Sequence, residues 1–433
     1  MNGAAEGDRG DAARRSGSPE PASPVRSFGR KDDPVSDDPQ ARPSIVLLPG
    51  RHKRAEAGHP WIYSNEVQMD DAAKALAPGT LVTVRKPDGK GLGVATFNPH
   101  TLIGGRLLSR DWTHRIDSEF FVRLLRRALA PREKLFDQPF YRLVHAEADG
   151  LPGLVVDRFA AALVCQFNTA GAARLEAPML AALDAVLAPR TIVLRNDSPA
   201  RSTEGLDSEV RIVKGDLDGP VELAEHGVRF LADLGAGQKT GWFYDQRANR
   251  RFVSRLVQGG RVLDLYTHSG GFAVAAAAAG AREVIGVDRS AAALALAVGA
   301  AELNAVAERC QFRRAEAFAE LERLAQSGER FDCVVADPPA FVKSRRDLAA
   351  GLRGYRKLAR LAAALVAKGG CLFLASCSHN AEPPAFAEAV RRGVADAGRN
   401  ARILRSSGAD ADHPVHPALP ESAYLKAETL LLD

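Results

Sequence analysis

The hydrophobic pattern changes rhythm near Ala232. Beyond it, short apolar runs alternate with helix-length stretches carrying apolar stripes. The runs are Arg261-Val-Leu-Asp-Leu265, Glu283-Val-Ile-Gly-Val287, Gln311-Phe-Arg313, Phe331-Asp-Cys-Val-Val-Ala336, Cys371-Leu-Phe-Leu-Ala375, Ala401-Arg-Ile-Leu404 and Thr429-Leu-Leu-Leu432. Phe331–Ala336 and Cys371–Ala375, bounded by Gly or Pro, read as short buried parallel strands, and the other runs read as strands. With helices between them they predict an α/β fold, a doubly wound Rossmann-like sheet over 232–433.

Upstream the pattern is different. Residues 117–131 have the period of an amphipathic helix ended by Pro131. Tyr141-Arg-Leu-Val144, Gly153-Leu-Val-Val-Asp157, Ala161-Ala-Leu-Val-Cys-Gln-Phe167, Thr191-Ile-Val-Leu-Arg195 and Glu225-His-Gly-Val-Arg-Phe230 read as strands flanking an alanine-rich helix near 172–187. Together they predict a linker helix and a small α+β domain over 117–231. From 44 to 116, short β-like runs (Ile45-Val-Leu-Leu48, Leu81-Val-Thr-Val-Arg85, Leu92-Gly-Val-Ala-Thr-Phe97) and the turn Pro87-Asp-Gly89 predict a small β-rich module. Residues 1–43 are rich in Gly, Ala, Ser, Pro and Asp. They hold too little apolar surface to offset ordering entropy, so a disordered tail is expected.

Composition narrows the class. The 433 residues are 46% hydrophobic and 26% charged, ordinary for a globular protein of two or three domains. No apolar stretch reaches the roughly 18 residues that span a bilayer, so no membrane partner is expected and the cytoplasm is the default compartment. Five cysteines without a CxxC pair fit neither a disulfide framework nor a zinc site, so no metal is expected. The net charge is +5. Residues 1–42 hold seven Lys/Arg against eight Asp/Glu, leaving +6 on the rest, compatible with a nucleic-acid partner.

The candidate chemistry lies at strand ends. Asp337-Pro-Pro-Ala-Phe341 follows one apolar run and Ser376-Cys-Ser378 follows another, which places a carboxylate and a thiol beside one crevice. Cys377 is thereby the candidate nucleophile. Cys165, Cys333 and Cys371 lie inside apolar runs and Cys310 just before a strand, where cysteine acts as a small hydrophobe. The first strand ends in Asp264-Leu-Tyr-Thr-His-Ser-Gly-Gly-Phe272. Its glycines permit a tight turn and close ligand approach. Asp288 ends the second strand, at the position that bonds ribose hydroxyls in nucleotide-binding sheets, and Glu316 follows the third, within reach of an adenine amine. The loop lacks G-x-G-x-x-G and the chain lacks a Walker lysine, which weakens pyrophosphate and triphosphate readings. S-adenosylmethionine, cationic and without phosphate, suits an acidic crevice better. Taken singly, Asp264 and Asp288 also fit a plain turn-capping role.

With these motifs in order the chain resembles the bacterial ribosomal large-subunit RNA 5-methylcytosine methyltransferases, which combine a PUA module, a central α+β domain and a class I S-adenosylmethionine-dependent domain. Further marks of the resemblance are Gly58-His-Pro-Trp61, His145-Ala-Glu-Ala-Asp-Gly-Leu-Pro-Gly153, Gly237-Gln-Lys-Thr-Gly-Trp-Phe-Tyr-Asp-Gln-Arg247 and Asp412-His-Pro-Val415. It implies an RNA-binding PUA-like module over 44–116 and a methyltransferase domain over 232–433. It also implies a cofactor site lined by Asp264, Ser269, Gly270, Asp288 and Glu316, with Tyr266 on the same loop and Thr240 and Arg247 as further candidates. Glu316 stands where such enzymes more often carry Asp. Asp245 reads as the N-cap of a helix over 246–257.

The resemblance further implies 23S ribosomal RNA as substrate, naked or in an assembling particle, with a homodimer as a candidate assembly. Cytosine C5 is a poor nucleophile, so its methylation needs a thiolate added at C6, the role for Cys377. Asp337 is placed to hydrogen-bond or protonate the ring at N3 as the thiolate adds. Phe341 is a candidate stacking partner for an extruded base, and Arg51, Lys53, Arg54, Trp61 and Lys343 are candidate RNA contacts. No cysteine follows Asp337, unlike RNA cytosine enzymes that use one there for product release. Two other readings stay open: guanine N-methylation, since a D-P-P loop also serves amines, although Ala340 separates the prolines from the aromatic; and a non-catalytic RNA-binding assembly factor.

Overall fold

The computed structural model describes residues 38–238 and 240–433. Most of the expected tail lies outside the described residues. Its last part is not loose: Arg42 is buried and donates to the backbone carbonyls of Trp112 and His114.

The first sheet runs Ser44–Val46, Thr80–Arg85, Gly91–Phe97, Gly105–Ser109, Trp61–Ile62 in spatial order, around a core of Ile45, Val82, Val84, Ala95 and Phe97. The Pro87-Asp-Gly89 turn forms with Gly89 left-handed at φ 82° and the Asp88 carboxylate accepting from Lys90 N at 3.1 Å.

A second sheet orders Glu209–Lys214, Thr191–Asn196, Ala162–Phe167, Leu154–Phe159 and Phe140–His145, with helices Ser118–Leu135 and Glu176–Leu187 sharing its core. Pro131 does not end the first helix, which continues to Leu135. Pro131 is exposed, so the one hydrogen bond it removes faces water. The next residue, Arg132, is buried and anchors the last turn through paired bonds of 2.6 and 2.8 Å to Asp149. The hairpin Val221–Glu225/Val228–Ala232 turns on His226 (φ 52°) and Gly227 (φ 83°). Two successive left-handed residues are what a tight hairpin requires.

The third sheet has seven strands: β1 (Arg261–Leu265), β2 (Glu283–Asp288), β3 (Cys310–Arg314), β4 (Phe331–Ala336), β5 (Val366–Ser376), β6 (Ala401–Ser407) and β7 (Lys426–Leu432). Their order is 3-2-1-4-5-7-6. Strands β1 to β5 are parallel, whereas β7 is antiparallel to both β5 and β6. Alternate residues feed separate cores, Val262 on one face and Leu263 on the other, which is why these strands lack polar alternation. Chain order reverses between β1 and β4, opening a crevice beyond their carboxyl ends.

Candidate functional site

The loop after β1 is wound tightly. Tyr266 (φ 62°), His268 (φ 51°) and Gly270 (φ 81°) all take left-handed backbone. Such conformations in non-glycine residues cost about 1–3 kcal/mol each and persist where surrounding structure enforces them. The enforcement comes from two carboxylates. Asp264 accepts from Thr267 Oγ1 at 2.6 Å and from Ala273 N at 2.9 Å. Asp288 accepts from His268 N at 3.0 Å and Ser290 N at 2.8 Å. Burial pushes the Asp264 carboxyl up to about 7, against those two bonds, with Asp337 and Asp288 adding repulsion. Asp337 and Asp288 therefore both act on Asp264 in this crevice.

Gly270 opens the following helix, Gly271–Ala278. A Cβ at Gly270 would meet Ala297 Cβ at 2.9 Å, so only glycine fits there. Ser269 is buried, with its hydroxyl 3.1 Å from His268 Nδ1. Glu316 is exposed and caps the helix Ala317–Gln326 through Ala319 N at 2.9 Å, while its charge also acts on the half-buried Tyr266 phenol. Among the residues expected at the cofactor, Asp264, Tyr266, Ser269, Gly270, Asp288 and Glu316 are thus assembled around one loop.

Thr240 and Arg247 stand elsewhere in the bonding scheme. The Thr240 hydroxyl donates to Asp157 at 2.6 Å. Arg247 is buried over the Phe136 ring at 4.3 Å, bonded to Phe140 O and 3.4 Å from the Asp412 carboxylate. Both side chains are taken up by a charged junction between the second and third sheets. Asp245 also departs from expectation. It lies inside a turn of 3-10 helix, Tyr244–Gln246, and accepts from Tyr424 Oη at 2.6 Å; the helix that follows, Arg247–Ser254, has no side-chain cap.

Asp337 follows β4 and Cys377 follows β5, adjacent parallel strands whose register pairs Ala336 with Leu374. The Asp337 carboxylate accepts from Gln246 Nε2 at 2.9 Å, and Gln246 is itself steadied by Asn249 at 2.7 Å. The two motifs are tied together beneath. Tyr355 Oη bonds Ser376 Oγ and Ser378 Oγ, each at 2.8 Å, and Ser378 Oγ accepts from Val342 N at 3.1 Å. Cys377 is half-buried, with Tyr424, Tyr355 and Lys426 within its electrostatic range. Sequence reasoning missed Gln246, Tyr355, Tyr424 and Lys426. Gln246 stood without a role inside the Gly237–Arg247 segment that marks the resemblance, and Tyr355 left a trace as a polar-tipped aromatic on the apolar stripe of its helix, Leu348–Leu365.

The expected RNA contacts divide. Arg51, Lys53 and Lys343 are exposed. Arg54 pairs with Glu66 at 2.7 Å and lies 4.2 Å from the Tyr63 ring. Trp61 is half-buried and its indole donates to Glu147 at 2.9 Å, which makes it a bridge from the first sheet to the second. Phe341 packs against Tyr355 (ring centroids 4.7 Å) and Phe318 (6.3 Å), so its faces are largely occupied.

The junction also contains an acid-sensitive histidine. His145 Nδ1 is buried without a hydrogen-bond partner among the described residues, and the ring lies 5.0 Å from that of His413. Burial, then the charge of Arg142, pushes His145 down to about 2. A histidine kept neutral in the fold contributes stability that is complete above its unfolded pKa of about 6.5 and is lost as pH falls toward the folded value. Thermal unfolding at pH 7.5 and 5.5 is expected to show wild type losing about 1.4 kcal/mol more than His145→Gln. Equal losses in the two proteins would remove this histidine from the account. Asp412 does not compete in that window: burial disfavours its charge, but His413 and Arg247 hold it well below the ordinary carboxylate range.

A family model for S-adenosylmethionine-dependent methyltransferases matches residues 178–428. The chain belongs to that family. A PUA-like domain model matches residues 45–110 of the methyltransferase. Curated relatives include "Ribosomal RNA large subunit methyltransferase I" of Aeromonas salmonicida, 37% identical over 387 residues, which covers 88% of this chain and 97% of the relative. The protein of the same name from Erwinia tasmaniensis is 37% identical over 391 residues, with the same coverage. Among solved structures, a Streptococcus mutans chain assigned as a SAM-dependent methyltransferase superposes with TM-score 0.75 at 20% identity, covering 90% of this chain and all of that one. Another methyltransferase structure, in complex with SAH, gives 0.76 at 19%. These two show the fold.

The methyltransferase's cofactor is S-adenosylmethionine, and the loop fits it. The acidic rim suits a cationic sulfonium, and Gly270 lets the helix Gly271–Ala278 start in close contact with Ala297.

Proposed function

We propose that the protein is a cytoplasmic ribosomal RNA methyltransferase that forms 5-methylcytosine in 23S RNA through a covalent bond to Cys377. The observation that carries this reading is the juxtaposition of Cys377 and Asp337 at the ends of adjacent strands, cross-braced by Tyr355 and Ser378. The large-subunit RNA methyltransferase name of the relatives supports the substrate, and the match to a PUA-like domain supports RNA engagement by the exposed Arg51 and Lys53.

Asp264, Tyr266, Ser269, Gly270, Asp288 and Glu316 would hold the cofactor, which supplies an electrophilic methyl group. Cys377 sulfur forms a bond to cytosine C6, and the C5–C6 π pair moves into an enamine that makes C5 nucleophilic. Asp337, oriented by Gln246, acts in its protonated form and gives its proton to N3 as negative charge develops there. The base has to leave its stack to reach the crevice.

RNA carrying 5-fluorocytosine is expected to trap a denaturation-resistant adduct, because fluorine at C5 cannot leave as a proton. Peptide mass spectrometry should place the adduct on Cys377, and digested natural product should contain 5-methylcytosine. A methylguanine as the sole product would overturn the reading.

A further inference from the structure

Lys426 opens β7 directly opposite Ser376, the residue before Cys377. Its side chain is only 6% exposed. Nζ donates to Ser378 O, the carbonyl just after Cys377, and to Tyr424 O at 3.1 Å. The ammonium thus spans the peptide that carries the thiol. Both partners are neutral carbonyls, and among the described residues no carboxylate lies within 4 Å of Nζ. A buried cation without a counter-ion is costly unless an anion accompanies it. Burial pushes Lys426 down to about 8, and the group that opposes this is Cys377.

Building on the nucleophile assignment above, we propose that Lys426 is a positioning residue that holds Cys377 as the thiolate before RNA binds. The thiol proton leaves to water, the lysine stays protonated, and its charge is balanced by sulfur across the β5–β7 pair. Other ionisable groups face Cys377. Tyr355 comes from the helix Leu348–Leu365, and Tyr424, bonded to Asp245, from the approach to β7. His379 follows on the same loop and stacks at 5.2 Å on Tyr424. Asp337 ends the neighbouring strand. Tyr355 and Tyr424 are pushed up by burial and are neutral at working pH, and Lys426 is a buried lysine in the electrostatic range of Cys377.

The test is the pH profile of Cys377 alkylation by iodoacetamide in the full chain, read on the Cys377 peptide by mass spectrometry. Lys426→Gln keeps a donor for Ser378 O and removes the charge; Lys426→Arg keeps the charge. The glutamine variant is expected to raise the alkylation midpoint by about one unit and to slow alkylation at pH 7 about tenfold, and the arginine variant to stay near wild type. An unchanged midpoint in Lys426→Gln would sink the proposal. So, without any variant, would a wild-type midpoint at or above the ordinary thiol value of about 8.5. The assay uses no RNA. A Lys426-dependent profile with no 5-fluorocytosine adduct would therefore reject the cytosine chemistry and leave this inference standing.

Discussion

Cys377→Ala is expected to abolish methyl transfer, lowering single-turnover methylation by at least about 10⁴-fold, the scale seen when a covalent nucleophile is removed. Cofactor and RNA binding should survive, since the side chain is a half-buried group at a strand end and its loss costs no more than about 1 kcal/mol. The contrast with the other cysteines gives the result its meaning. Burial pushes Cys165 up and Cys310 up to about 11, and the hydrogen bond with Cys371, then burial, pushes Cys333 up, so none of these three supplies a thiolate near neutral pH. Cys310→Ala and Cys371→Ala are expected to keep nearly full activity once folded. Methylation within tenfold of wild type in Cys377→Ala, with the other variants behaving as stated, would exclude a covalent cytosine route and redirect attention to the Asp337 loop as an amine-binding platform.

The third sheet was legible because its inner strands are buried on both faces. Seven apolar runs separated by helix-length stretches leave little choice of architecture, and strand ends carrying Asp264, Asp288, Asp337 and Cys377 then fall into one crevice by topology alone. Pairing direction was less accessible: nothing in Lys426–Leu432 distinguishes an antiparallel strand from a parallel one. That direction is what sets Lys426 opposite Ser376. The side-chain networks were least visible. Thr240 and Arg247 lie in a segment whose family resemblance suggested the cofactor, yet their partners, Asp157 and Asp412, stand 83 and 165 positions away. Local rules failed in the same way at Pro131, where the distant Asp149 holds the helix beyond the proline, and at Asp245, where Tyr424 takes the carboxylate that would have capped a helix. Trp61 reads locally as an aromatic among cations. Only Glu147, on another sheet, reveals it as a bridge.

Asp157→Ala is expected to destabilise the fold by about 3–5 kcal/mol, lowering the unfolding temperature by roughly 10 °C. Asp157 is fully buried and meets Arg142 through two bonds of 2.8 Å, while Thr240 donates to it at 2.6 Å. Burial opposes the Arg142 charge, yet Asp157 holds that guanidinium firmly ionised. Removing the carboxylate strands a cation that cannot shed its proton. The double variant Arg142→Leu/Asp157→Leu separates this cause from simple loss of packing. Replacing a whole buried pair by apolar groups is often near neutral, so the double variant should recover most of the lost stability. Equal damage in the single and double variants would assign the effect to shape instead of charge. The activity of the single variant carries a second message. Thr240 begins the stretch that runs to Gln246, and Gln246 holds the Asp337 carboxylate. Loosening Asp157 at 25 °C, well below unfolding, is therefore expected to lower kcat with little change in cofactor affinity, because the change reaches the Asp337 loop through Gln246 and leaves the Asp264–Gly270 turn braced by its own hydrogen bonds.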